Sequence, residues 1–224
     1  MIGQDFSRSS AKNVKYASTY GAQAARIAKT VGCDLALGQQ IFDAFWAAAE
    51  PLAKLKANVE KWWETKGGKK FIPGLDGRKI NTRSQHALLN SLFQSAGVIC
   101  AKRAMLFQDR LMTSHGLTVD FWKDDWKNME YCQQISQTHD EQQHEISKSL
   151  IKWRKFESDD AANDFKALNK HWVGPLHLSG GVFLAYSIVN EIVEEAITLT
   201  NNFYKLNVPL GVDPQYGRTW AECH

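Results

Sequence analysis

Four side chains that could bind a charged, ring-containing ligand recur every four residues near the start of the sequence. They are Arg8, Lys12, Tyr16 and Tyr20, and the glycine Gly21 follows directly. On an α-helix, residues four apart lie on one slowly drifting face, so that face would carry two cations and then two phenol rings. Cations bind phosphate, and a phenol ring packs against a sugar or a base. The spacing indicates a helix that binds a nucleoside triphosphate; a solvated basic helix with two core tyrosines explains the spacing equally well.

A second group of candidates is the tripeptide His139-Asp140-Glu141. We expect it at the tip of a β-hairpin, where its carboxylates offer the hard oxygen ligands that suit Mg²⁺. Taken by itself, the tripeptide is explained better as a polar turn. A zinc site made of Cys132, His139 and His144 is disfavoured, because the spacings match no standard zinc-ligand pattern.

Between these two motifs lie polar and basic side chains that could contact a nucleic acid. Asn90 and Gln94 stand four apart on a predicted helix and share a face, although Asn and Gln on helices are usually only exposed. The segment 66–83 is rich in glycine and in basic residues. Sequence-independent phosphate contacts are expected there from Lys69, Lys70, Lys79 and Arg83.

Hydrophobic spacing and turn residues predict mostly helices, with two hairpins. The predicted helices cover 6–20 with Ser7 as N-cap, 22–31, 35–65 with a kink or restart at Pro51, 85–114, 152–170 and 186–204. The predicted hairpins cover 66–83, with a turn at Asp76-Gly77, and 129–147. Residues 174–181 are predicted to form a loop.

Composition places the chain among ordinary soluble globular proteins. It has 224 residues, 44% hydrophobic and 23% charged, enough for one large domain or two small ones. No apolar run approaches the roughly 20 residues of a membrane span, and the N-terminus lacks a signal-peptide pattern. Four scattered cysteines indicate reduced thiols in a cytosolic protein. Residues 1–110 carry 17 Lys and Arg against 8 Asp and Glu, whereas residues 111–224 carry 10 against 16, so the first half favours a polyanionic partner.

Four motifs in a fixed order resemble those of the family A DNA polymerases, the DNA polymerase I family. Arg8-x3-Lys12-x3-Tyr16-x3-Tyr20-Gly21 resembles the motif of the fingers helix. In the family's order and approximate spacing follow Gly74-Leu-Asp-Gly-Arg78-Lys79, Asn90-x3-Gln94 and His139-Asp140-Glu141. The closing Trp220-Ala-Glu-Cys-His224 resembles the C-terminal end of short phage-type members, in which the last histidine lies near the active site. The resemblance covers most of the chain.

The resemblance implies an α+β fold with a mostly helical fingers subdomain and a partial palm carrying a small antiparallel β-sheet. Fingers helices are expected over 1–66, and the base of palm and fingers over 67–147 with the basic hairpin, the long helix and the His-Asp-Glu hairpin. An insertion is expected over 148–184, and a palm helix and tail over 185–224. The thumb, the first palm half and the exonuclease are expected to be absent, because the fingers motif begins within ten residues of Met1. Asp5-Phe6-Ser7 is similar to the family's other metal-binding motif but abuts the fingers helix.

For the fingers helix, the resemblance implies contacts with the incoming dNTP. Arg8 and Lys12 would bind the triphosphate, and Lys12 would be the candidate proton donor to the leaving pyrophosphate. Tyr16 would pack against the incoming sugar, where a tyrosine goes with acceptance of dideoxynucleotides in this family. Tyr20 would lie by the template base, near Gly21.

For the later motifs, the resemblance implies metal and DNA contacts. Two Mg²⁺ ions are expected in the assembled enzyme, with Asp140 as a ligand and Glu141 as a nearby or weaker ligand. The residues expected to contact DNA around the primer terminus are Arg78, Lys79, Arg83, Asn90, Gln94 and His139.

The function that follows is template-directed DNA synthesis by part of a polymerase. We expect the chain to add dNTPs to a primer 3′ end only when combined with a separate N-terminal half that carries the other catalytic aspartate, and to be inactive alone. Its other partners would be primer–template DNA and dNTPs, with no membrane, in the host cytoplasm if it is phage-encoded. The alternative is a non-catalytic DNA-binding fragment or an inactive remnant of a polymerase.

Overall fold

A computed structural model describes residues 7–120, 122 and 127–223. The chain divides into two compact units, Met1–Ile99 and Cys100–His224, and the boundary falls inside one long helix. The first unit contains four helices, α1 (Arg8–Thr19), α2 (Ala24–Val31), α3 (Leu35–Ala48) and α4 (Glu50–Thr65), then strands β1 (Phe71–Pro73) and β2 (Lys79–Asn81), and the start of α5 (Leu88–Ser114).

Helices α1, α2 and α3 pack around a small apolar core. Val14, Ile27 and Ile41 supply one buried side chain each. Gly38 allows a close approach of α3 to α2, because a Cβ there would lie 2.6 Å from the Cβ of Ala28. Local signals set the ends of these helices: the Ser7 hydroxyl accepts a hydrogen bond from the backbone of Ser10 at 3.1 Å. The predicted helices of this region, the predicted N-cap Ser7 and the restart at Pro51 are confirmed.

The basic hairpin is closed by antiparallel pairing of β1 with β2, in the register Ile72 to Ile80. Ile72 is fully buried and packs with Trp63 of α4 and Leu88 of α5. A 3₁₀ turn over Gln85–Ala87 leads into α5. The predicted hairpin and the predicted long helix are both confirmed.

The second unit begins with the remainder of α5 and the hairpin of β3 (Cys132–Thr138) and β4 (Glu141–Ile146). The register pairs Cys132 with Ile146 and Thr138 with Glu141, with an irregularity between Gln134 and Ser136. The core beneath it contains Met112, Leu117, Cys132, Val189 and Ile192. The predicted hairpin over 129–147 is therefore confirmed, with its turn at His139-Asp140.

A three-stranded antiparallel sheet follows, and here one prediction is wrong and another is only partly right. Its strands are β5 (Lys152–Phe156), β6 (Val173–Leu178) and β7 (Gly181–Tyr186) in the order β5-β7-β6, with α6 (Asp159–Leu168) between β5 and β6. Of the helix predicted over 152–170, the first five residues form β5, and α6 confirms the later part. The loop predicted over 174–181 is wrong, because most of these residues belong to β6 and to the start of β7. Pairing with β7, which is distant from β5 along the chain, decides the strand conformation there.

Helix α7 (Ile188–Tyr204) begins at an N-cap, Ser187, and ends at Lys205 in a left-handed conformation, which confirms the predicted helix. From within this helix, the Asn201 side chain holds the extended tail that follows, through two hydrogen bonds with the backbone of Leu210 at 2.8 and 2.9 Å. A 3₁₀ turn over Trp220–Cys223 follows. Within the described ranges, no helix is both long and apolar enough to cross a membrane.

Candidate functional site

The predicted ligand-binding face exists on α1. Arg8, Lys12, Tyr16 and Tyr20 are all solvent-exposed, with Tyr16 48% and Tyr20 46% exposed. Val14 and Ser18 are buried on the opposite side. Of the two interpretations of the spacing, the core-tyrosine alternative is therefore wrong, because both phenol rings face solvent.

The cations and rings of this face contact one another in sequence order. The ammonium of Lys12 lies 5.8 Å from the centroid of the Tyr16 ring. The rings of Tyr16 and Tyr20 lie 6.0 Å apart at an interplanar angle of 36°. These distances are in the range of cation–π and aromatic contacts, so the face is a continuous ridge of positive charge followed by aromatic surface.

The helix α5 contributes a polar side chain to this ridge. The amide of Gln94 donates a hydrogen bond to the hydroxyl of Tyr20 at 3.3 Å. One turn earlier on α5, the side-chain oxygen of Asn90 is buried and lacks a hydrogen-bond partner among the described residues. The fold thus brings two of the predicted motifs, the α1 face and Gln94, into direct contact.

The end of α1 is fixed by Gly21. Its φ of +86° is a left-handed conformation, and a Cβ added there would lie 2.5 Å from the carbonyl oxygen of His86. A cavity of about 200 Å³ lies beside this turn, lined among others by Ser18, Trp46 and His86. The Ser18 hydroxyl and the Trp46 indole N–H are both buried without a hydrogen-bond partner in the described part of the chain. Glycine is required at position 21 both by its φ and by the close approach of backbone.

The basic hairpin presents its cations in two different ways. Arg78 is engaged by Asp76, with its Nη2 2.6 Å from the Oδ2 of that carboxylate. Side-chain hydrogen bonds from Arg78 hold the pKa of Asp76 below its usual value. The Lys79 ammonium lies 4.8 Å from the centroid of the Phe71 ring. Arg83, like Lys69 and Lys70, is exposed.

In the second unit, the tip of the β3–β4 hairpin presents His139 and Asp140 to solvent. His139 has a φ of +55°, a conformation in which histidine is enriched among non-glycine residues. The amide of Gln137 donates to the His139 carbonyl at 3.0 Å, which closes the turn.

Glu141, directly after the tip, is half-buried and held by two side chains. Its Oε1 accepts hydrogen bonds from the Gln143 amide and from the Trp220 indole, both at 3.0 Å. In the sequence, Trp220 stands out only as part of the C-terminal motif, and no local pattern links it to a residue 79 positions away. His224, Asp5 and Phe6, which the sequence also singled out, lie outside the described residues.

The donor set at this tip fits a magnesium ion. Asp140 and Glu141 offer carboxylate oxygens, and Mg²⁺ is usually held by one or two carboxylates together with waters and substrate phosphates. Within the described residues, no group of three or more His, Cys, Asp and Glu side chains is placed to hold a metal. The zinc alternative does not fit the hairpin, because Cys132 is the first residue of β3 and His139 follows the last, so their side chains lie too far apart to ligate one ion. The half-buried His144 ring, whose pKa burial lowers, contacts the amide of Gln108.

Comparisons with known proteins relate the chain to DNA polymerases. No protein-family model matches it. The DNA-directed DNA polymerase of Enterobacteria phage T3 is 24% identical over 233 residues, which cover 97% of this chain and 27% of that protein. The DNA-directed DNA polymerase of Escherichia phage T7 is 31% identical over 121 residues, which cover 49% of this chain and 17% of that protein. That of Escherichia phage Phieco32 is 25% identical over 224 residues, which cover 97% of this chain and 28% of that protein.

A solved structure shows the fold. The POL domain of Pol1 from M. smegmatis, in complex with DNA primer–template and dNTP, matches 96% of this chain and 31% of that chain with a TM-score of 0.65 at 17% identity. The chain spans less than a third of the length of each of these relatives. It therefore has the mixed fold of helices and small antiparallel sheets found in part of a polymerase domain.

Proposed function

We propose that this chain, a region of a phage-type family A DNA polymerase, supplies the dNTP-binding helix and metal-binding carboxylates of a template-directed polymerase. The observation that carries the proposal is the exposed ridge of α1, in which Arg8, Lys12, Tyr16 and Tyr20 form one face and Gln94 donates to the Tyr20 hydroxyl. Two motifs that resemble those of the family thus contact each other although they lie far apart in the sequence, which supports the proposal.

The ridge supports binding of a nucleoside triphosphate with its phosphates toward the start of α1. Arg8 and Lys12 are exposed, and the described structure gives neither side chain an ion pair with a carboxylate, so both charges are free to bind phosphate. Fixed positive charges that face the leaving pyrophosphate stabilise the charge that develops on it. Lys12 would also donate a proton to that leaving group. Tyr16 would pack against the sugar, and Tyr20, oriented by Gln94, would lie by the template base.

In the second unit, Asp140 and Glu141 would hold the metal. Bound Mg²⁺ would activate the primer 3′-hydroxyl and neutralise the triphosphate in a two-metal reaction. Asp140 stands at the exposed tip, and Glu141 is fixed beside it by two hydrogen bonds. His139 would contact the primer end.

An upstream polypeptide with the other catalytic aspartate would complete the site. The described residues provide only the two neighbouring carboxylates at this tip, and two ions need ligands from elsewhere. Exposed apolar side chains in the second unit, among them Ile135 at 62% and Val208 at 80%, are consistent with surface that such a partner covers.

We further assign the subdomains and DNA contacts by family likeness. Residues 1–66 would form fingers helices, residues 67–147 the base of palm and fingers, and residues 185–224 the palm helix and tail. Residues 148–184, which contain β5, α6, β6 and most of β7, would be an insertion. The residues that would contact primer–template DNA in the host cytoplasm are Arg78, Lys79, Arg83, Asn90, Gln94 and His139.

The experiment combines this chain with the upstream region of a related phage polymerase and measures primer extension. Extension of a primed template with Mg²⁺ and dNTPs is expected from the mixture and not from this chain alone. Asp140→Ala should abolish it, because an alanine offers no ligand, whereas Asp164→Ala on the exposed face of α6 should leave it unchanged. A verified complex that yields no product would refute the proposal. Salt-sensitive DNA binding without extension would favour the non-catalytic alternative.

A further inference from the structure

A polar contact joins the C-terminal turn to the metal-binding hairpin. The indole Nε1 of Trp220 donates to Oε1 of Glu141 at 3.0 Å, and the Gln143 amide donates to the same oxygen at 3.0 Å. A carboxylate oxygen has two lone pairs, so two N–H donors satisfy this oxygen fully. Because the acceptor is a charged group, both bonds are of the stronger, charge-assisted kind.

Burial of the indole does not account for the position of Trp220. The side chain is 61% exposed, although a tryptophan gains most from removing its large apolar surface from water. The hydrogen bond to Glu141 thus contributes to holding the indole where it lies.

The turn that carries Trp220 is closed by its own contacts. The Glu222 carboxylate accepts a hydrogen bond from the backbone of Arg218 at 2.6 Å, and the Glu222 backbone donates to the Thr219 carbonyl at 3.1 Å. Gly217 lies so close that a Cβ there would be 2.8 Å from the sulfur of Cys223. A turn fixed in this way presents the indole N–H from a defined position.

We infer that Trp220, together with Gln143, is a positioning residue for Glu141, and that the turn 217–223 is a functional part of the metal-binding hairpin. The inference rests on the proposed function. Holding Glu141 in one conformation beside Asp140 prearranges the carboxylate pair, so less side-chain freedom is lost when a divalent cation binds. Trp220 contacts the proposed ligand Glu141 and does not itself bind the cation.

The contact itself is tested by NMR of the ¹⁵N-labelled full chain, without reference to polymerase activity. The indole signal that Trp220→Phe removes belongs to Trp220. In Glu141→Gln that signal should move upfield, because a neutral acceptor replaces a carboxylate, while the signal that Trp153→Phe removes should stay in place. Mn²⁺ should broaden the Trp220 signal, and Asp140→Asn should reduce this broadening. An unchanged Trp220 signal in Glu141→Gln would overturn the inference.

The functional consequence is tested by primer extension in the mixture with the upstream region. Trp220→Phe keeps an aromatic ring but removes the donor, and loss of a partner of a metal ligand lowers metal affinity or activity by about 10–100-fold. We expect a higher Mg²⁺ concentration for half-maximal extension, an unchanged KM for dNTP, and a similar effect of Gln143→Ala. The matched control is Trp153→Phe, an exposed tryptophan of the same unit whose loss should change neither quantity.

The outcomes separate this inference from the proposed function. Normal extension and normal Mg²⁺ dependence in Trp220→Phe would overturn the inference and leave the polymerase assignment intact. If even the unaltered chain gives no extension, the polymerase assignment fails, and the Mn²⁺ measurement then decides. Broadening of the Trp220 signal that depends on Asp140 would still support a cation site positioned by Trp220, and its absence would overturn that too.

Discussion

Substitution of Gly21 by alanine should destabilise the first unit strongly, and Gly32 provides the matched control. Both glycines end a helix in the left-handed region, with φ of +86° and +79°. A Cβ at position 21 would lie 2.5 Å from the His86 carbonyl oxygen, whereas at position 32 it would meet nothing within 4 Å. The pair therefore separates the cost of the backbone conformation from the cost of the steric contact.

The magnitudes follow from these two terms. A left-handed conformation costs an alanine about 1–2 kcal/mol, partly offset by about 0.4–1 kcal/mol from the reduced entropy of the unfolded chain. Gly32→Ala should therefore lower the free energy of unfolding by about 0–1.6 kcal/mol. At position 21 the added Cβ would also meet the backbone of His86, which cannot rotate away as a side chain could. Relieving such overpacking costs about 1–3 kcal/mol, so Gly21→Ala should lower the free energy of unfolding by that much more than Gly32→Ala.

Urea unfolding followed by tryptophan fluorescence measures both variants in the same unit. The midpoint of Gly21→Ala should fall well below that of Gly32→Ala, with the slope m unchanged, since the surface exposed on unfolding is the same. Equal destabilisation of the two variants would show that the turn after α1 does not press against the His86 backbone. The reasoning about the fixed end of the helix would then be wrong.

Two further predictions concern charge and pH. Lys12→Ala should raise the KM for dNTP by about tenfold or more in the assembled enzyme, since a hydrogen bond to a charged group contributes about 1.5–3 kcal/mol. Lys29→Ala, which removes an exposed charge from α2, should not raise this KM, and equal effects of the two substitutions would point to general electrostatics. Stability should fall as the pH rises from about 9 toward 12, because burial raises the pKa of Cys132 and of Tyr216 to about 12. The unfolded chain releases these protons near the ordinary pKa values while the folded chain keeps them, so unfolding is favoured by high pH. Denaturant titrations at pH 8 and 10 measure this loss, which Cys132→Ala and Tyr216→Phe should each reduce; an unreduced loss would assign it to other groups.

Short-range patterns in the sequence predicted most of the helices and pointed to both candidate motifs. Ser7, Gly32 and Pro51 act within one helical turn, so their effects on helix ends can be read from neighbouring residues. The four-residue spacing of the α1 face is likewise a local property of the helix. It predicted that the two cations and the two phenol rings share one face, but not whether the rings are exposed. The hairpin tip at His139-Asp140 was predicted by its place between two strand segments.

The tertiary structure alone decided what depends on distant pairing. The segment 152–156 is polar enough to be read as helix, and only its register against β7, from Lys152 opposite Tyr186 to Phe156 opposite Val182, makes it a strand. The exposure of both tyrosines was also decided by packing. Two hydrogen bonds, from Gln94 to Tyr20 and from Trp220 to Glu141, join positions far apart in the chain. No local propensity encodes such contacts, because they arise when whole elements pack, and the residues that orient the candidate catalytic groups are among them.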